Sequence, residues 1–361
     1  MGDITHRMVE TNGINMHIAE AGEGPLVVMV HGFPGLWYSW RYQLPALAKA
    51  GWHAVAVDQR GYGRTDRPSD PAVYDANYVA ADMLGLLDAL GERKAIFIGH
   101  DFGAQLVFNL AVRHPDRLYA VIGMACPYDF DLAGRGGAGS RPKKDAVNDD
   151  SGGFTAEFAS SEMRPSEVFA KAAKQHFLHL HYFQEIGPGE QELGAQPREF
   201  LTRLFWALSP RGKLLDWTKF PSEGTKYLDV LAKPDIPLPW PWMSSEDMDT
   251  YVAEFTRPNG VEVRGDKTFI GGLNSYRVAD RNWELGAKWA DSDITIPTAF
   301  IAGSHDPVLK MIRPDAIDIM RSHTPDLRQV TIIPDAGHFV QQEQPDATNA
   351  AILSFLETLE L

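Results

Sequence analysis

Short apolar runs alternate with segments of helical periodicity over the first third of the chain and again near its C-terminal end. Leu26–Val30 is an unbroken apolar run, which is typical of a strand buried on both faces. The segment Met8–Ala19 predicts a hairpin that turns at Asn12-Gly13. The other predicted strands are His53–Val57, Ala95–Ile98, Leu118–Met124, Thr298–Ile301 and Val330–Ile333, and the clearest predicted helices are Tyr78–Leu90 and Gln105–Val112. This alternation predicts an α/β fold with a mostly parallel sheet.

The alternation stops after Met124 and resumes only beyond residue 286. The long segment between is helical in pattern and rich in aromatic residues, which predicts an inserted helical cap. Within it, Asp131–Gly153 is rich in Gly, Asp, Lys and Ser and predicts an exposed loop. The alternating prolines of Ile236–Trp242 exclude a central strand or a helix there. We therefore expect a core domain of residues 1–128 and 288–361 and a cap of residues 129–287.

Composition and charge narrow the classes of partner. The chain has 361 residues, of which 44% are hydrophobic and 23% charged, and its formal net charge is −14. So acidic a surface repels nucleic acid and anionic lipid, which argues against both as partners. The single cysteine, Cys126, excludes a disulfide framework and a cysteine-rich zinc site. Without a signal peptide or an apolar span in the sequence, we expect a cytoplasmic monomer or homodimer that does not insert into membranes.

The segment Gly99-His100-Asp101-Phe102-Gly103 directly follows a predicted strand and precedes a helical pattern. Two glycines permit a sharp turn that lifts the central side chain above the sheet, as in a nucleophile elbow. The central residue is usually a serine, whereas Asp101 is ionised at neutral pH and needs no base to activate it. Such a carboxylate can displace a leaving group at saturated carbon and form an ester. The alternative is a tight turn in which the aspartate only caps a helix.

Four further segments each follow a predicted strand: His31-Gly32-Phe33-Pro34, Asp58-Gln59-Arg60-Gly61-Tyr62-Gly63, Ser304-His305-Asp306-Pro307 and Ala336-Gly337-His338-Phe339. Taken in this order with the elbow, they resemble the epoxide hydrolases of the α/β-hydrolase superfamily. The resemblance implies that fold, with a mostly parallel sheet of the eight-stranded type, flanking helices and an inserted helical cap. It also implies a nucleophile at Asp101, a base at His338 and an orienting acid at Asp306. The backbone N–H groups of Phe33 and Phe102 would form the oxyanion hole.

The resemblance further implies hydrogen-bond donors in the cap, because an epoxide oxygen otherwise leaves as an alkoxide. The segment Asn274-Ser275-Tyr276-Arg277 matches one of the family's two tyrosines, so Tyr276 is the expected donor. The place of the other is taken by His179, three residues before Tyr182, and this histidine could be neutral or cationic when it donates. Tyr182 is the alternative second donor. Trp37, Tyr182 and Phe339 are candidate substrate contacts.

We expect neither a metal nor a cofactor. His176, His179 and His181 look like a metal cluster, but only the first two share a helical face and no carboxylate or cysteine stands at ligand spacing. The expected partners are an apolar epoxide and water, with a vicinal diol as product. Two alternatives stay open: a haloalkane or haloacid dehalogenase with the same nucleophile, and a non-catalytic ligand-binding member of the fold. Phenylalanine at positions 33 and 102 argues against the dehalogenase, since its side chain cannot donate to a halide.

Overall fold

The computed structural model describes residues 4–128, 163–289, 292–311 and 315–360. The exposed loop expected at Asp131–Gly153 lies outside these ranges. The described strands form one sheet of eight in the order β1-β2-β4-β3-β5-β6-β7-β8. Their bounds are β1 Thr5–Thr11, β2 Ile14–Ala21, β3 Leu26–Val30, β4 His53–Val57, β5 Ala95–His100, β6 Leu118–Met124, β7 Thr298–Gly303 and β8 Leu327–Ile333. The predicted strands and the N-terminal hairpin are thus present.

Two pairings are antiparallel, β1 with β2 and β2 with β4, and the remaining strands run parallel. The hairpin turns at Asn12 and Gly13, both with positive φ, as an Asn-Gly turn requires. Side chains alternate between the faces of β3: Val28 packs into one apolar cluster, and Val27 into the other. The sheet is therefore covered on both faces, and the carboxyl ends of its parallel strands meet at one edge.

Helices flank the sheet. Those of the core are α1 Gln43–Lys49, α2 Ala76–Leu90 and α3 Phe102–Arg113 before the cap, and α12 Pro307–Met311, α13 Ala316–Ser322, α14 Val340–Glu343 and α15 Pro345–Leu356 after it. Helix α2 begins two residues earlier than predicted because the Asp75 side chain accepts the N–H groups of Asn77 and Tyr78. It ends at Leu90, and the next residue, Gly91, has φ 77° and caps the helix in the left-handed conformation.

The described residues between β6 and β7 are helices joined by turns, and we call them the cap helices. They are α4 Pro165–Ala172, α5 His179–Tyr182, α6 Pro188–Ala195, α7 Pro197–Leu208, α8 Tyr227–Val230, α9 Ser245–Thr256, α10 Ile270–Arg277 and α11 Ala279–Gly286. Ile236–Trp242 contains no helix and only one isolated bridge, from Trp240 to Met243. Phe200 and Phe205 of α7 belong to the same apolar cluster as strand residues of the core. Among the described helices, none is both long and apolar enough to cross a membrane.

Candidate active site

Asp101 stands in the turn between β5 and α3, at the carboxyl edge of the sheet. Its backbone has φ 56° and ψ −121°, a conformation that costs energy for a residue with a side chain. The turn is tight on both sides: a Cβ on Gly99 would collide with the Gly103 carbonyl, and one on Gly103 would collide with the carbonyl of Val30. The sequence Gly-x-Asp-x-Gly therefore folds into a strained elbow that lifts Asp101 out of the sheet.

His338 and Asp306 come from loops after β8 and β7, and both are 1% exposed. The Asp306 carboxylate oxygens lie 3.0 and 3.1 Å from His338 Nδ1. On the other side of the ring, His338 Nε2 lies 3.5 Å from Asp101 Oδ2. The Asp306 carboxylate is itself fixed, because Oδ1 accepts the Val308 N–H at 2.8 Å. The three residues thus form a continuous chain of polar contacts from Asp306 to Asp101.

The loop that carries His338 is held by hydrogen bonds to its backbone. The Glu343 carboxylate accepts the N–H groups on either side of the histidine, from Gly337 at 2.6 Å and from Phe339 at 2.9 Å. The His338 N–H donates to Leu208 O of the cap helix α7 at 3.0 Å. Its carbonyl lies 2.8 Å from His100 Nε2, and burial lowers the pKa of His100 to about 3, so that neutral imidazole is the donor. Nothing in the sequence pattern had pointed to Glu343 or to Leu208.

Charge sets the protonation states of Asp101 and His338. Burial alone would raise the pKa of Asp101, but His338 and the Phe33 N–H hold that pKa below its ordinary value. Burial alone would likewise lower the pKa of His338, but the carboxylates of Asp306 and Asp101 raise it to about 10. Attraction between opposite charges outweighs desolvation at both residues. The resting site therefore pairs an ionised Asp101 with a protonated His338.

The two residues expected to form an oxyanion hole lie beside Asp101. Phe33 N donates to Asp101 Oδ1 at 3.0 Å. Phe102 is the first residue of α3, where a backbone N–H has no carbonyl to bind within the helix. An oxygen at the Asp101 carboxyl group therefore meets one N–H already directed at it and has a second helix-terminal N–H adjacent.

A cavity of about 610 Å³, including its open mouth, lies above Asp101. Its core wall is formed by Phe33, Asp101, Phe102 and His338, and its cap wall by His179, Trp217, Tyr227 and Tyr276. The remaining lining is largely apolar and includes Leu204, Leu208, Leu214, Val308 and Met311. A neighbouring cavity of about 720 Å³ shares Phe102, Gln105, Leu180 and Tyr276 with the first. Asp101 and the expected donors therefore face one another across an apolar space.

The Tyr276 ring stands edge-on to Phe102, at 5.0 Å between ring centroids, and its pKa is raised well above the ordinary value, chiefly by burial. The His179 ring lies 5.5 Å from the Tyr276 ring and 4.6 Å from the Trp217 ring, measured between centroids, and it is tilted by 32° against the latter. It is 7% exposed, and burial lowers its pKa to about 3. The imidazole of His179 is thus neutral near pH 7, which decides between the two protonation states that the sequence left open.

Three residues expected at the substrate site lie elsewhere. The Tyr182 hydroxyl donates to Glu192 Oε2 at 2.6 Å, and the residue does not line the cavity. Trp37 packs against His6, at 4.6 Å between ring centroids, and belongs to an apolar cluster with residues of β4 and α1. Phe339 is 1% exposed and packs behind His338. These positions differ from the substrate contacts that we expected for the three residues.

In the described ranges, no group of three His, Cys, Asp or Glu side chains could hold a metal ion. His176 lies before α5 rather than on it, and its Nδ1 binds the carbonyl of Phe177 at 2.8 Å. Sequence reasoning also missed residues that do line the cavity, above all Trp217 and Tyr227. Neither stands in a motif or next to a strand end, so no signal in the sequence marked them.

Comparison with known proteins places this arrangement in a family. Residues 25–144 match the family model described as alpha/beta hydrolase fold. The chain is 38% identical to Epoxide hydrolase A of Mycobacterium tuberculosis over 100% of both chains. It is 32% identical to Epoxide hydrolase 1 of Siraitia grosvenorii over 99% of both. The crystal structure of Epoxide Hydrolase A from Mycobacterium thermoresistibile superposes with a TM-score of 0.81 at 39% identity, covering 99% of this chain and 100% of that one. Full-length similarity at these identities, on this fold, shows that the chain belongs to the epoxide hydrolases of the α/β-hydrolase superfamily.

Proposed function

We propose that the chain hydrolyses an apolar epoxide to a vicinal diol through an ester between the substrate and Asp101. One observation carries the proposal: an ionised carboxylate on a strained turn lies 3.5 Å from His338 Nε2 and faces Tyr276 across an apolar cavity. A carboxylate is a nucleophile without a base, so the histidine remains available for a second step. The arrangement supports attack at saturated carbon rather than at a carbonyl group.

In the first step, an Asp101 oxygen attacks an epoxide carbon and the ring C–O bond breaks. The electron pair of that bond passes to the epoxide oxygen, which becomes an alkoxide unless a donor stabilises it. We assign this donation to Tyr276, assisted from the same cap wall by neutral His179. Both are neutral in the resting site, so they can hydrogen-bond to a developing negative charge without first losing an ion-pair partner.

In the second step, water activated by His338 attacks the carbonyl carbon of the Asp101 ester. Formation of the ester removes the negative charge of Asp101, which is one of the two charges that raise the pKa of His338. The pKa of His338 therefore falls once the ester forms, so the imidazolium releases its proton to solvent and the neutral imidazole then accepts a proton from the attacking water. Asp306 keeps the ring oriented, and the N–H groups of Phe33 and Phe102 stabilise the oxyanion.

The lining of the two cavities supports a substrate with an apolar arm. Aliphatic side chains together with phenylalanine and tryptophan form most of the cavity lining beside Asp101, which favours an alkyl or aryl substituent there. The neighbouring cavity adds the polar side chains of Gln59, Asn109, Ser275 and Asn282. We propose that it receives the second substituent of the ring carbons. We also propose that residues 1–128 and 288–361 act as the core, with residues 129–287 as the cap that supplies the donors.

A single turnover in water labelled with heavy oxygen tests the covalent step. With enzyme in excess over a styrene oxide probe, the first diol should carry unlabelled oxygen taken from the Asp101 carboxylate. The enzyme should gain the label, and peptide mass spectrometry should locate it at Asp101. Label in the first diol would mean that water attacks the epoxide directly, and the proposed ester route would then be wrong.

A panel of epoxides and haloalkanes separates this function from the alternatives. We expect diol from epoxides and no halide from haloalkanes, because the side chains of Phe33 and Phe102 cannot donate to a leaving halide. Halide release without diol formation would favour a dehalogenase. Tight binding of an epoxide without turnover would favour a non-catalytic ligand-binding protein.

A further inference from the structure

The cap wall contains a second phenol beside Tyr276. Tyr227 is the first residue of α8, is 3% exposed, and lines the same cavity as Asp101 and His338. It lies far in sequence from Tyr276 and from His179, and no motif surrounds it. The fold alone brings it to the cavity.

The Tyr227 side chain is held in place from two directions. Its backbone N–H and that of Leu228 donate to the Glu192 carboxylate, at 3.2 and 2.8 Å. Its ring is stacked on His179 at 5.8 Å between centroids and stands edge-on to Phe183 at 5.1 Å. A side chain fixed in this way can present its hydroxyl to a ligand at little cost in conformational entropy.

The hydroxyl of Tyr227 has no hydrogen-bond partner among the described residues, and burial raises its pKa above the ordinary value. Most other partly or fully buried tyrosines differ from Tyr227 in that their hydroxyl groups are hydrogen-bonded. Tyr74, Tyr128 and Tyr251 all have a hydroxyl that bonds to another residue. Tyr62 is an exception, since its hydroxyl is buried and unpartnered, but it does not line the cavity above Asp101. Of the described tyrosines, Tyr227 and Tyr276 alone combine an unpartnered hydroxyl with a place in that cavity.

Both phenols line the cavity that contains the ionised Asp101, and neither hydroxyl bonds to a described residue, so both are free to donate to an atom bound in that cavity. An ionised Tyr227 would raise the pKa of Tyr276, which is consistent with the two phenols lying close together. An alkoxide has three lone pairs and can accept both hydrogen bonds. The pKa of each phenol lies above neutral pH, so both hydroxyls are protonated before the ring opens.

We propose that the Tyr227 hydroxyl is a second phenol donor to the epoxide oxygen, acting with Tyr276 as the ring opens. The inference rests on the proposed function. As the bond from Asp101 to carbon forms and the ring C–O bond breaks, the oxygen takes the electron pair and a proton from one phenol, while the other phenol hydrogen-bonds to it. The proton released when the ester becomes a carboxylate and a diol restores the phenol. His179, stacked on Tyr227, also positions it.

Tyr227→Phe tests this, because it removes the hydroxyl and keeps the ring. Two probes with the same carbon skeleton are compared, 1,2-epoxypropane and 3,3,3-trifluoro-1,2-epoxypropane, since fluorine stabilises the alkoxide and lowers the need for a donor. Stopped-flow tryptophan fluorescence gives the rate of ester formation and the rate of its hydrolysis, with Trp217 in the cavity lining as reporter. We expect ester formation from epoxypropane to slow about 10- to 100-fold, with a clearly smaller loss for the fluorinated probe and unchanged hydrolysis.

Tyr182→Phe is the matched control: it removes a phenol of the same cap whose hydroxyl is bound to Glu192. In this variant, the ratio of the ester-formation rates on the two probes should equal that of the wild type. Such a ratio does not depend on the fraction of active enzyme, so partial misfolding would not change it. If Tyr227→Phe formed the ester as fast as the wild type on both probes, the role of Tyr227 would be overturned and the proposed function would still stand. A uniform loss on both probes would also overturn it, since it would mean that the hydroxyl only supports packing. A wild-type chain that opens no epoxide, these two included, would instead overturn the proposed function.

Discussion

The two walls of the cavity differ in how their polar groups are satisfied. On the core wall, Asp101 accepts a hydrogen bond from Phe33 and lies beside His338, which in turn contacts Asp306. On the cap wall, the hydroxyls of Tyr227 and Tyr276 have no partner among the described residues, and His179 Nδ1 is buried without one. One wall is charged and fully paired in the resting state, whereas the other is neutral and unpaired.

This difference in pairing matches the stage of the proposed reaction at which each wall faces a negative charge. The carboxylate of Asp101 is present from the start and must be kept ionised, which the surrounding donors and His338 achieve. Negative charge at the epoxide oxygen exists only while the ring opens. Donors that are fixed in advance but unpaired can bind such a charge without breaking an earlier hydrogen bond. Mutations on the two walls should therefore affect different steps.

Removing the charge from the core wall should have the largest effect. Asp101→Asn keeps the shape, and asparagine tolerates the positive φ found at this position. The amide is a poor nucleophile, so we expect diol formation to fall at least about 10⁴-fold. Product chromatography measures it, intact mass excludes reversion by deamidation, and a thermal melt checks the fold. Substantial remaining turnover by the intact amide would show that Asp101 does not attack.

Altering the base on the same wall should stop the second step only. His338→Gln should form the ester but not hydrolyse it, lowering turnover at least about 10³-fold. Under excess epoxide, intact-protein mass should rise by the mass of one substrate molecule. His305→Gln, at an exposed neighbouring position, is the control and should turn over normally. Absence of an adduct in His338→Gln would contradict the assignment.

On the cap wall, Tyr276→Phe should slow the first step about 10²-fold and leave ester hydrolysis unchanged. The variant should not be less stable than the wild type, because the hydroxyl it loses makes no hydrogen bond with described residues. Rapid-kinetic measurement of ester formation and a thermal melt check the two parts. Tyr78→Phe, on the exposed surface, is the matched control. If ester formation were normal and ester hydrolysis slower, Tyr276 would act in the second step, and its assignment to ring opening would be wrong.

The smallest effect is expected at His179. His179→Gln keeps a neutral side-chain donor, so we expect the turnover of this variant to lie within about tenfold of the wild type. The pH profile should be unchanged between about pH 5 and pH 9, because burial holds the pKa of His179 at about 3, below that range. Steady-state rates across pH measure this, with exposed His181→Gln as control. Loss of an acid limb on substitution would mean that His179 is charged during the reaction.

The core could be predicted from the sequence because its signals are local. Unbroken apolar runs marked the strands, and Gly-x-Asp-x-Gly marked the elbow between β5 and α3. Parallel strands end at a common edge, so residues placed just after β5, β7 and β8 converge there whatever lies between them. The sequence positions of Asp101, Asp306 and His338 therefore led to a short contact chain in space.

The cap could be predicted only as a set of helices. Its helices meet at angles decided by the packing of side chains that are far apart in sequence, so periodicity cannot tell which residue reaches the cavity. Tyr182 has its hydroxyl bound to Glu192, whereas Tyr227 lines the cavity without any motif to mark it. The charge of His179 was equally unreadable, because a pKa depends on burial and burial is a property of the whole fold. Local patterns were therefore enough to predict the fold and the residues at the carboxyl edge of the sheet. Which cap groups line the cavity with Asp101, and in what protonation state, depends instead on packing between residues that are far apart in sequence.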